Sequence, residues 1–169
     1  DFPVDMKTLY LLRHAKSSWE DPELKDIERP LAARGTKDVP VMAARFQDRG
    51  KEVDCIISSS ANRAKTTARL FAESIGYDVE AIISNTELYF AGISMFLKTA
   101  SHVNDSCASA MLVGHNPTVT DFVNEMTNSD IENVPTCGLV ELHLSIDYWA
   151  DINTGGAILE DFDYPKKVA

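Results

Sequence analysis

The sequence predicts a three-layer α/β sandwich with a mostly parallel central sheet. Short apolar runs, typical of buried strands, alternate along the chain with segments whose apolar residues recur at helical spacing. The chain has 169 residues, which suits one domain because chains divide into several domains only beyond roughly 250 residues. We therefore expect a single domain over residues 6–169, with residues 1–5 as an added remnant or a short extension.

The first strand is predicted at residues 8–12, where the run TLYLL is mostly apolar. Residues 15–34 are polar and contain two prolines, which predicts a long loop, and loops of that length are often functional. The next helix is predicted to begin near Thr36, whose hydroxyl can cap it, and to end at Gly50.

Strands and helices are expected to alternate through the middle of the chain. The apolar runs at 53–58 and 79–84 predict strands. Helical spacing of apolar residues predicts helices at 64–75, ended by Gly76, and at 93–103. This order is typical of strands that pair in parallel.

The rest of the chain is predicted to hold one buried strand, a helix and two more strands. These elements are expected at residues 110–113, 119–126, 138–144 and 157–162. Asn116 as N-cap and Pro117 at the first helical position mark the start of the helix. Gly155 and Gly156 predict the turn between the two late strands.

Composition disfavours several classes of protein. The chain has 16 basic and 26 acidic residues, a net charge of −10, which disfavours binding to nucleic acid or to an anionic membrane. No apolar run approaches the roughly 18 residues that span a bilayer, and no signal peptide is visible, so a cytoplasmic location is expected. Cys55, Cys107 and Cys137 lack metal-ligand spacing and are expected to be reduced thiols. Packing roles are expected for Trp19 and Trp149.

Three of the predicted strands end in loops that carry chemically active side chains. Arg13 and His14 follow the first strand, residues 58–63 end the second, and residues 114–116 follow the strand at 110–113. Because the carboxyl ends of parallel strands meet at one edge of a sheet, we expect these loops to form one site.

The expected site suits a phosphoryl group. Its loops supply two histidines, two arginines, hydroxyls and the N-termini of helices. Arginine side chains and helix N-termini bind phosphate oxygens, and a histidine can act as a nucleophile that forms a covalent intermediate. The residues therefore predict phosphoryl chemistry even though the protein as a whole is acidic.

Three sequence motifs carry a resemblance to a known family. The segment LLRHAKSSW at 11–19 resembles the Arg-His signature of the histidine phosphatase superfamily, the phosphoglycerate mutase-like proteins. SSSANRAKTT at 58–67 and LVGHN at 112–116 resemble the second and third elements of that family, in the same order. The Arg-His-Ala-Lys form, the segment RPL at 29–31 and the short length are most similar to SixA-type phosphohistidine phosphatases.

The resemblance implies a phosphoglycerate mutase-like fold and a phosphatase that works through a covalent phosphohistidine. It makes His14 the phosphorylated nucleophile and His115 the second histidine of the site. Arg13 and Arg63 are implied to bind the phosphate, and Arg29 is expected to reach the same pocket. Neither a metal nor another cofactor is implied, because arginines and histidines supply the positive charge that phosphoryl transfer needs.

The identity of the substrate depends on Glu87. The resemblance places the proton donor of the family near Glu87, although its spacing to Gly92 departs from the family pattern. An ester leaving group needs a proton from such an acid, whereas phosphohistidine can leave as an already protonated imidazole. We therefore expect the partner to be a signalling protein that bears phosphohistidine. Two alternatives stay open: a phosphatase of small phosphoesters with Glu87 as general acid, and a non-catalytic phosphate-binding signalling module.

Overall fold

The computed structural model describes residues 6–167 and shows, within that range, one sheet between two layers of helices. The strands are β1 (Lys7–Arg13), β2 (Cys55–Ser59), β3 (Ile83–Asn85), β4 (Ser109–Gly114), β5 (Leu139–Leu144) and β6 (Ala157–Asp163). This architecture confirms the predicted fold class. Residues 1–5, for which an added segment is predicted, lie outside the described residues, as do residues 168 and 169.

The order of the strands brings three strand ends to one edge of the sheet. The sheet runs β3–β2–β4–β1–β5–β6. Neighbours from β3 to β1 pair in parallel, whereas β5 pairs antiparallel with both β1 and β6. The carboxyl ends of β1, β2 and β4 therefore lie side by side, which is where ligands bind in sheets of this kind.

The helices form the two outer layers. They are α1 (Ala33–Asp48), α2 (Asn62–Ile75), α3 (Ile93–Ser101) and α4 (Thr118–Thr127). Successive side chains of a strand point to opposite faces. In β1, Leu9 and Leu11 pack into a cluster with α3 and α4, whereas Tyr10 and Leu12 pack into a cluster with α1 and α2. Apolar residues on both faces of β1 thus explain why it lies inside the sheet and not at an edge.

The strand predicted at 79–84 is only partly correct. Residues Val79–Ala81 form a 3-10 turn, and β3 covers only Ile83–Asn85. The carboxylate of Asp78 accepts a hydrogen bond of 3.0 Å from the backbone N–H of Glu80. This side-chain cap commits the backbone to a turn, so that pairing with β2 begins later.

The start of α4 lies slightly beyond the predicted one. The helix begins at Thr118 and Pro117 occupies the cap position, where Asn116 was predicted. The Asn116 side chain still accepts a hydrogen bond of 3.1 Å from the backbone N–H of Thr120. The predicted interaction of Asn116 with the helix start therefore exists, one residue before the formal cap.

The start of α1 also differs from the prediction. The helix begins at Ala33, so Thr36 lies inside it and does not cap it. The Thr36 hydroxyl donates to the carbonyl oxygen of Ala32 at 3.3 Å. A threonine within a helix commonly bonds back to the preceding turn in this way, so its presence alone does not mark a boundary.

Two tryptophans and three cysteines test smaller predictions. Trp149 is fully buried, which confirms its packing role. Trp19 is 71% exposed, so its predicted packing role is wrong: its ring lies against the guanidinium of Arg29, 3.2 Å from Cζ to the ring centroid. The three cysteines are free thiols, of which Cys137 is buried.

No helix among residues 6–167 has the length and apolar character that crossing a membrane requires.

The long loop at 15–34 folds back on itself instead of crossing the surface as an open chain. The backbone N–H of Ser18 donates to the carbonyl oxygen of Pro30, and that of Ala32 donates to Lys16, both at 2.8 Å. These bonds hold the start of the loop against the beginning of α1 and so fix the segment that follows β1.

Replacing Gly35 by alanine tests this contact. An added Cβ would fall deep inside van der Waals contact with the carbonyl oxygen of Lys16, which is backbone and has no rotamer to change. We expect Gly35→Ala to lower the free energy of unfolding by about 2 kcal/mol, despite the better helix propensity of alanine. Gly92→Ala is the matched control because a Cβ there meets no atom within 4 Å. Urea denaturation of both variants measures the difference, and equal stability would contradict the assigned contact.

Candidate active site

The two predicted site histidines lie next to each other because β1 and β4 pair in register. Arg13 is the partner of Gly114 in the parallel ladder, so His14 and His115 follow at equivalent positions. The backbone N–H of His14 donates to the carbonyl oxygen of Gly114 at 3.0 Å. The centroids of the two imidazole rings are 5.2 Å apart. The structure thus brings together residues that are distant in the sequence.

His14 is held in one tautomer. Its Nδ1 lies 2.7 Å from the carbonyl oxygen of Ala15. A carbonyl oxygen can only accept a hydrogen bond, so Nδ1 carries the proton and Nε2 keeps a lone pair. Ala15 is itself fixed, because its backbone N–H donates to the hydroxyl of Thr67 in α2 at 3.0 Å. An imidazole oriented in this way can attack through Nε2.

Both histidines are uncharged at neutral pH. Burial lowers the pKa of His14 to about 3; the hydrogen bond with Ala15 opposes this shift, and the nearby His115 and Arg63 add to it. Burial and then Arg63 lower the pKa of His115 to about 4. A neutral imidazole retains the lone pair that nucleophilic attack requires. The expectation that the histidines supply positive charge is therefore wrong, and the positive charge of the site comes from its arginines.

His115 contacts the end of β2. Its Nε2 lies 2.8 Å from the hydroxyl of Ser59, which also accepts a hydrogen bond from the backbone N–H of Ala61. Its ring lies edge to face with that of Tyr89, 5.7 Å between centroids. The third predicted loop thereby joins the other two at the same edge of the sheet.

The arginines approach from three segments. Arg13 at the end of β1 donates to the carbonyl oxygen of Val134 at 2.9 Å. Arg63 lies in the first turn of α2 and is buried, and Arg29 is buried in the loop before α1. The positive charges of Arg63 and Arg13 both contribute to the lowered pKa of His14.

Asp26 joins two of these arginines. It lies in a 3-10 turn, Asp26–Glu28, within the long loop. Arg63 donates to the carbonyl oxygen of Asp26 at 2.8 Å and to its carboxylate at 3.0 Å. Arg29 donates to the same carboxylate at 3.1 Å, and the hydroxyl of Tyr89 donates to it at 2.5 Å. One carboxylate thus links three segments of the site.

Asp26 is ionised throughout the neutral range. The hydrogen bond from Tyr89 lowers its pKa to about 2, and Arg63 and Arg29 add to this shift while burial opposes it. Sequence reasoning missed both Asp26 and Tyr89. Asp26 offers one signal, since it lies three residues before Arg29 in a loop already expected to be functional; Tyr89 offers none.

The assembled side chains suit phosphoryl chemistry. One guanidinium group can bind two phosphate oxygens at once, and a neutral imidazole beside it can attack phosphorus. Among the described residues, no group of three or more His, Cys, Asp or Glu side chains is arranged to hold a metal ion.

Comparison with known proteins gives the family. The family model of the histidine phosphatase superfamily (branch 1) matches residues 9–91. A SixA protein of Agrobacterium tumefaciens is 30% identical, with a TM-score of 0.79 over 97% of this chain and 99% of that chain. The chain belongs to the histidine phosphatase superfamily.

Two further proteins are similar to this chain over most of its length. An uncharacterized protein of Mycobacterium tuberculosis is 28% identical over 165 residues, covering 92% of this chain and all of that protein. A phosphoglycerate mutase of Plasmodium falciparum shares the fold with a TM-score of 0.66 at 17% identity, over 97% of this chain and 94% of that chain. The predicted phosphoglycerate mutase-like fold is therefore confirmed, and the 30% identical SixA protein confirms the SixA-like membership.

Glu87 is the one predicted site residue that lies apart from the others. Its half-exposed carboxylate forms an ion pair of 3.3 Å with Lys98 of α3. It lines a cavity together with Lys98 and His102, whereas Arg63 and His115 line a separate one. The catalytic and phosphate-binding roles of Arg13, His14, Arg29, Arg63, Glu87 and His115 stay predictions.

The lowered pKa values of the two site histidines predict a loss of stability in acid. In the unfolded chain, these two histidines bind protons as the pH falls below about 6.5. In the folded chain, they bind protons only when the pH falls to about 3 to 4. The fold is therefore fully stabilised above pH 6.5 and loses free energy as the pH falls below that value. Between pH 7 and pH 5, we expect the free energy of unfolding to fall by about 2 kcal/mol less in His115→Gln than in the wild type, because glutamine binds no proton. Urea unfolding at both pH values measures this, and identical losses would contradict a neutral, partly buried His115.

Proposed function

We propose that this histidine phosphatase hydrolyses phosphohistidine on a protein, through a covalent phosphohistidine at His14 and without a metal ion. The observation that carries the proposal is the fixed tautomer of His14, whose Nδ1 is held by Ala15 so that Nε2 is the free nitrogen. The SixA protein from Agrobacterium, which is 30% identical, supports this substrate because it is named as a proposed phosphohistidine phosphatase.

The first step transfers the phosphoryl group to the enzyme. The lone pair of His14 Nε2 attacks phosphorus, and the bond between phosphorus and the nitrogen of the substrate breaks. The electron pair of that bond returns to the leaving imidazole. Guanidinium groups of Arg13, Arg29 and Arg63 bind the phosphoryl oxygens and stabilise the charge that they carry in the transition state.

The second step releases phosphate. Water attacks the phosphorus of the phosphoenzyme on the side opposite Nε2, and the bond from phosphorus to Nε2 breaks. The electron pair returns to Nε2 and the proton of the water passes to phosphate or solvent, so that His14 regains its starting state. The low pKa of His14 keeps this nitrogen unprotonated for the next turnover.

The carboxylates near the site favour a nitrogen leaving group. An alcohol must receive a proton as it leaves, whereas an imidazole protonated on its second nitrogen leaves as a neutral molecule. Asp26 contacts the arginines but has a pKa near 2, so it holds no proton to donate at neutral pH. Glu87 forms an ion pair with Lys98 and lines a cavity separate from the one that His115 lines. These two observations support phosphohistidine over a phosphoester as substrate.

The two alternatives lack comparable support. A phosphatase of small phosphoesters needs Glu87 as general acid, and that carboxylate is paired elsewhere. A non-catalytic phosphate-binding module has no need of a nucleophile, yet His14 is buried, neutral and hydrogen-bonded in the tautomer that attack requires.

A phosphoenzyme assay tests the proposed nucleophile. We expect a protein bearing phosphohistidine to be dephosphorylated in the presence of a chelator, and mass spectrometry of quenched wild-type enzyme to find phosphate on the peptide that contains His14. His14→Asn should lower turnover at least about 1000-fold because the covalent route is lost. His102→Asn, a change of the same kind outside the site, should leave turnover unchanged. Full activity of His14→Asn, or inhibition by the chelator, would overturn the proposal.

Replacement of Glu87 separates the proposed substrate from a phosphoester. We expect Glu87→Gln to hydrolyse phosphohistidine within about twofold of the wild-type rate, because no proton donor is needed. Steady-state kinetics with a phosphohistidine protein and with a phosphoserine peptide, whose alcohol must be protonated as it leaves, make the comparison. Glu80→Gln, which removes a similar exposed charge from a neighbouring turn, is the control. A tenfold loss on phosphohistidine in Glu87→Gln alone is incompatible with the proposed role.

A further inference from the structure

Three exposed apolar side chains lie on the segments that build the candidate active site. Phe90 is 86% exposed, Trp19 71% and Ile27 37%. We call these three residues the apolar rim. Trp19 and Phe90 have the largest exposed fractions among the large apolar residues that the structure describes. Exposed apolar residues that occur together, unlike those scattered singly, are typical of interaction sites.

Each residue of the apolar rim either contacts a residue of the ionic network around Asp26 or is adjacent to one in the chain. Trp19 stacks on Arg29, which donates to the carboxylate of Asp26. The ring of Phe90 packs against that of Tyr89, with centroids 4.1 Å apart and planes tilted by 39°. The hydroxyl of Tyr89 donates to the same carboxylate. Ile27 follows Asp26 in the same turn. The apolar rim therefore lies on the segments that carry the groups proposed to hold phosphate or that contact those groups.

The backbone at Phe90 supports a binding role. Phe90 has a φ of 56°, in the left-handed region that bulky side chains rarely adopt. Such strained residues cluster at binding and catalytic sites. The side chain of Phe90 is exposed to solvent instead of packing into the core. Its neighbour Tyr89 contacts the ring of His115.

We propose that the apolar rim is the docking surface for the segment of a partner protein that flanks the phosphorylated histidine, and that this segment carries apolar side chains. The inference rests on the proposed function. The cationic centre fits the phosphoryl group, and the apolar rim around it fits apolar neighbours of that group. Exposed aromatic side chains are the residues that most often anchor a protein partner.

The exposed apolar residues elsewhere do not form a comparable surface. Ile83 lies on β3 and Ile158 on β6, the two edge strands of the sheet, and Tyr148 lies in the connection between β5 and β6. Met6 precedes β1, and Val41 lies on α1. None of these five belongs to the loops or turns that form the candidate active site. They serve as matched controls for the apolar rim.

Three substrates test the docking surface: free phosphohistidine, a peptide with phosphohistidine between leucines, and the same peptide with serines. We expect wild-type kcat/KM to be about tenfold higher for the leucine peptide than for the serine peptide, because the leucines contact the apolar rim. Phe90→Ser and Ile27→Ser should each remove most of that preference while leaving turnover of free phosphohistidine unchanged. Tyr148→Ser should retain the wild-type preference.

The outcomes distinguish the docking surface from the proposed function. Equal kcat/KM for the two peptides in the wild type, or an equal loss on free phosphohistidine in Phe90→Ser, would overturn the docking surface and leave the proposed function intact. Absence of turnover for all three substrates, with no phosphate on His14, would overturn the proposed function. Self-association that is measured by sedimentation in the wild type and lost in Phe90→Ser would assign the apolar rim to a second copy of this chain and overturn the partner named here.

Discussion

Parallel pairing of β1 with β4 is the constraint on which the candidate active site depends. The two strands are far apart in sequence, and their register sets Arg13 opposite Gly114. A shift by one residue would turn the side chains of a strand to the opposite face of the sheet, so the register determines on which side His14 and His115 emerge. Gly114 makes this arrangement possible, because a Cβ there would meet the ring of Phe96 from α3.

Charge around the site is balanced locally and not by the protein as a whole. The chain carries a net charge of −10, yet its buried arginines converge on one edge of the sheet. Burying a guanidinium is unfavourable unless an anion or carbonyl oxygen receives its hydrogen bonds. Asp26 meets this requirement for Arg63 and Arg29 at once, while Arg13 uses a backbone carbonyl. A phosphoryl group must bind through the remaining N–H groups of these arginines or compete with Asp26 for them.

The sequence predicts the meeting of the two histidines but not the network that holds the arginines. Alternating strands and helices determine where strand ends lie, and this suffices to bring His14 and His115 together. The contacts of Asp26 with Arg63 and Tyr89 depend instead on how two loops fold, for which periodicity carries no signal. Trp19 was mistaken for a packing residue for the same reason, because its stacking partner is a loop arginine.

The long loop couples the stability of this region to ligand binding. Ordering such a loop costs conformational entropy, which its internal backbone bonds and its contact with α1 offset only in part. Groups outside the loop add further bonds: Asp26 receives them from Arg63 and Tyr89, Glu28 receives one from Asn62, and Ala15 donates one to Thr67. A ligand that took N–H groups from Asp26 would loosen one attachment of the loop while it added its own bonds to Arg29 and Arg63. Because Trp19 and Ile27 lie on this loop, contacts of the proposed partner with the apolar rim would replace the attachment that is loosened. Under the proposal, a phosphorylated protein would bind both the arginines and the apolar rim, whereas a small phosphate compound would bind only the arginines.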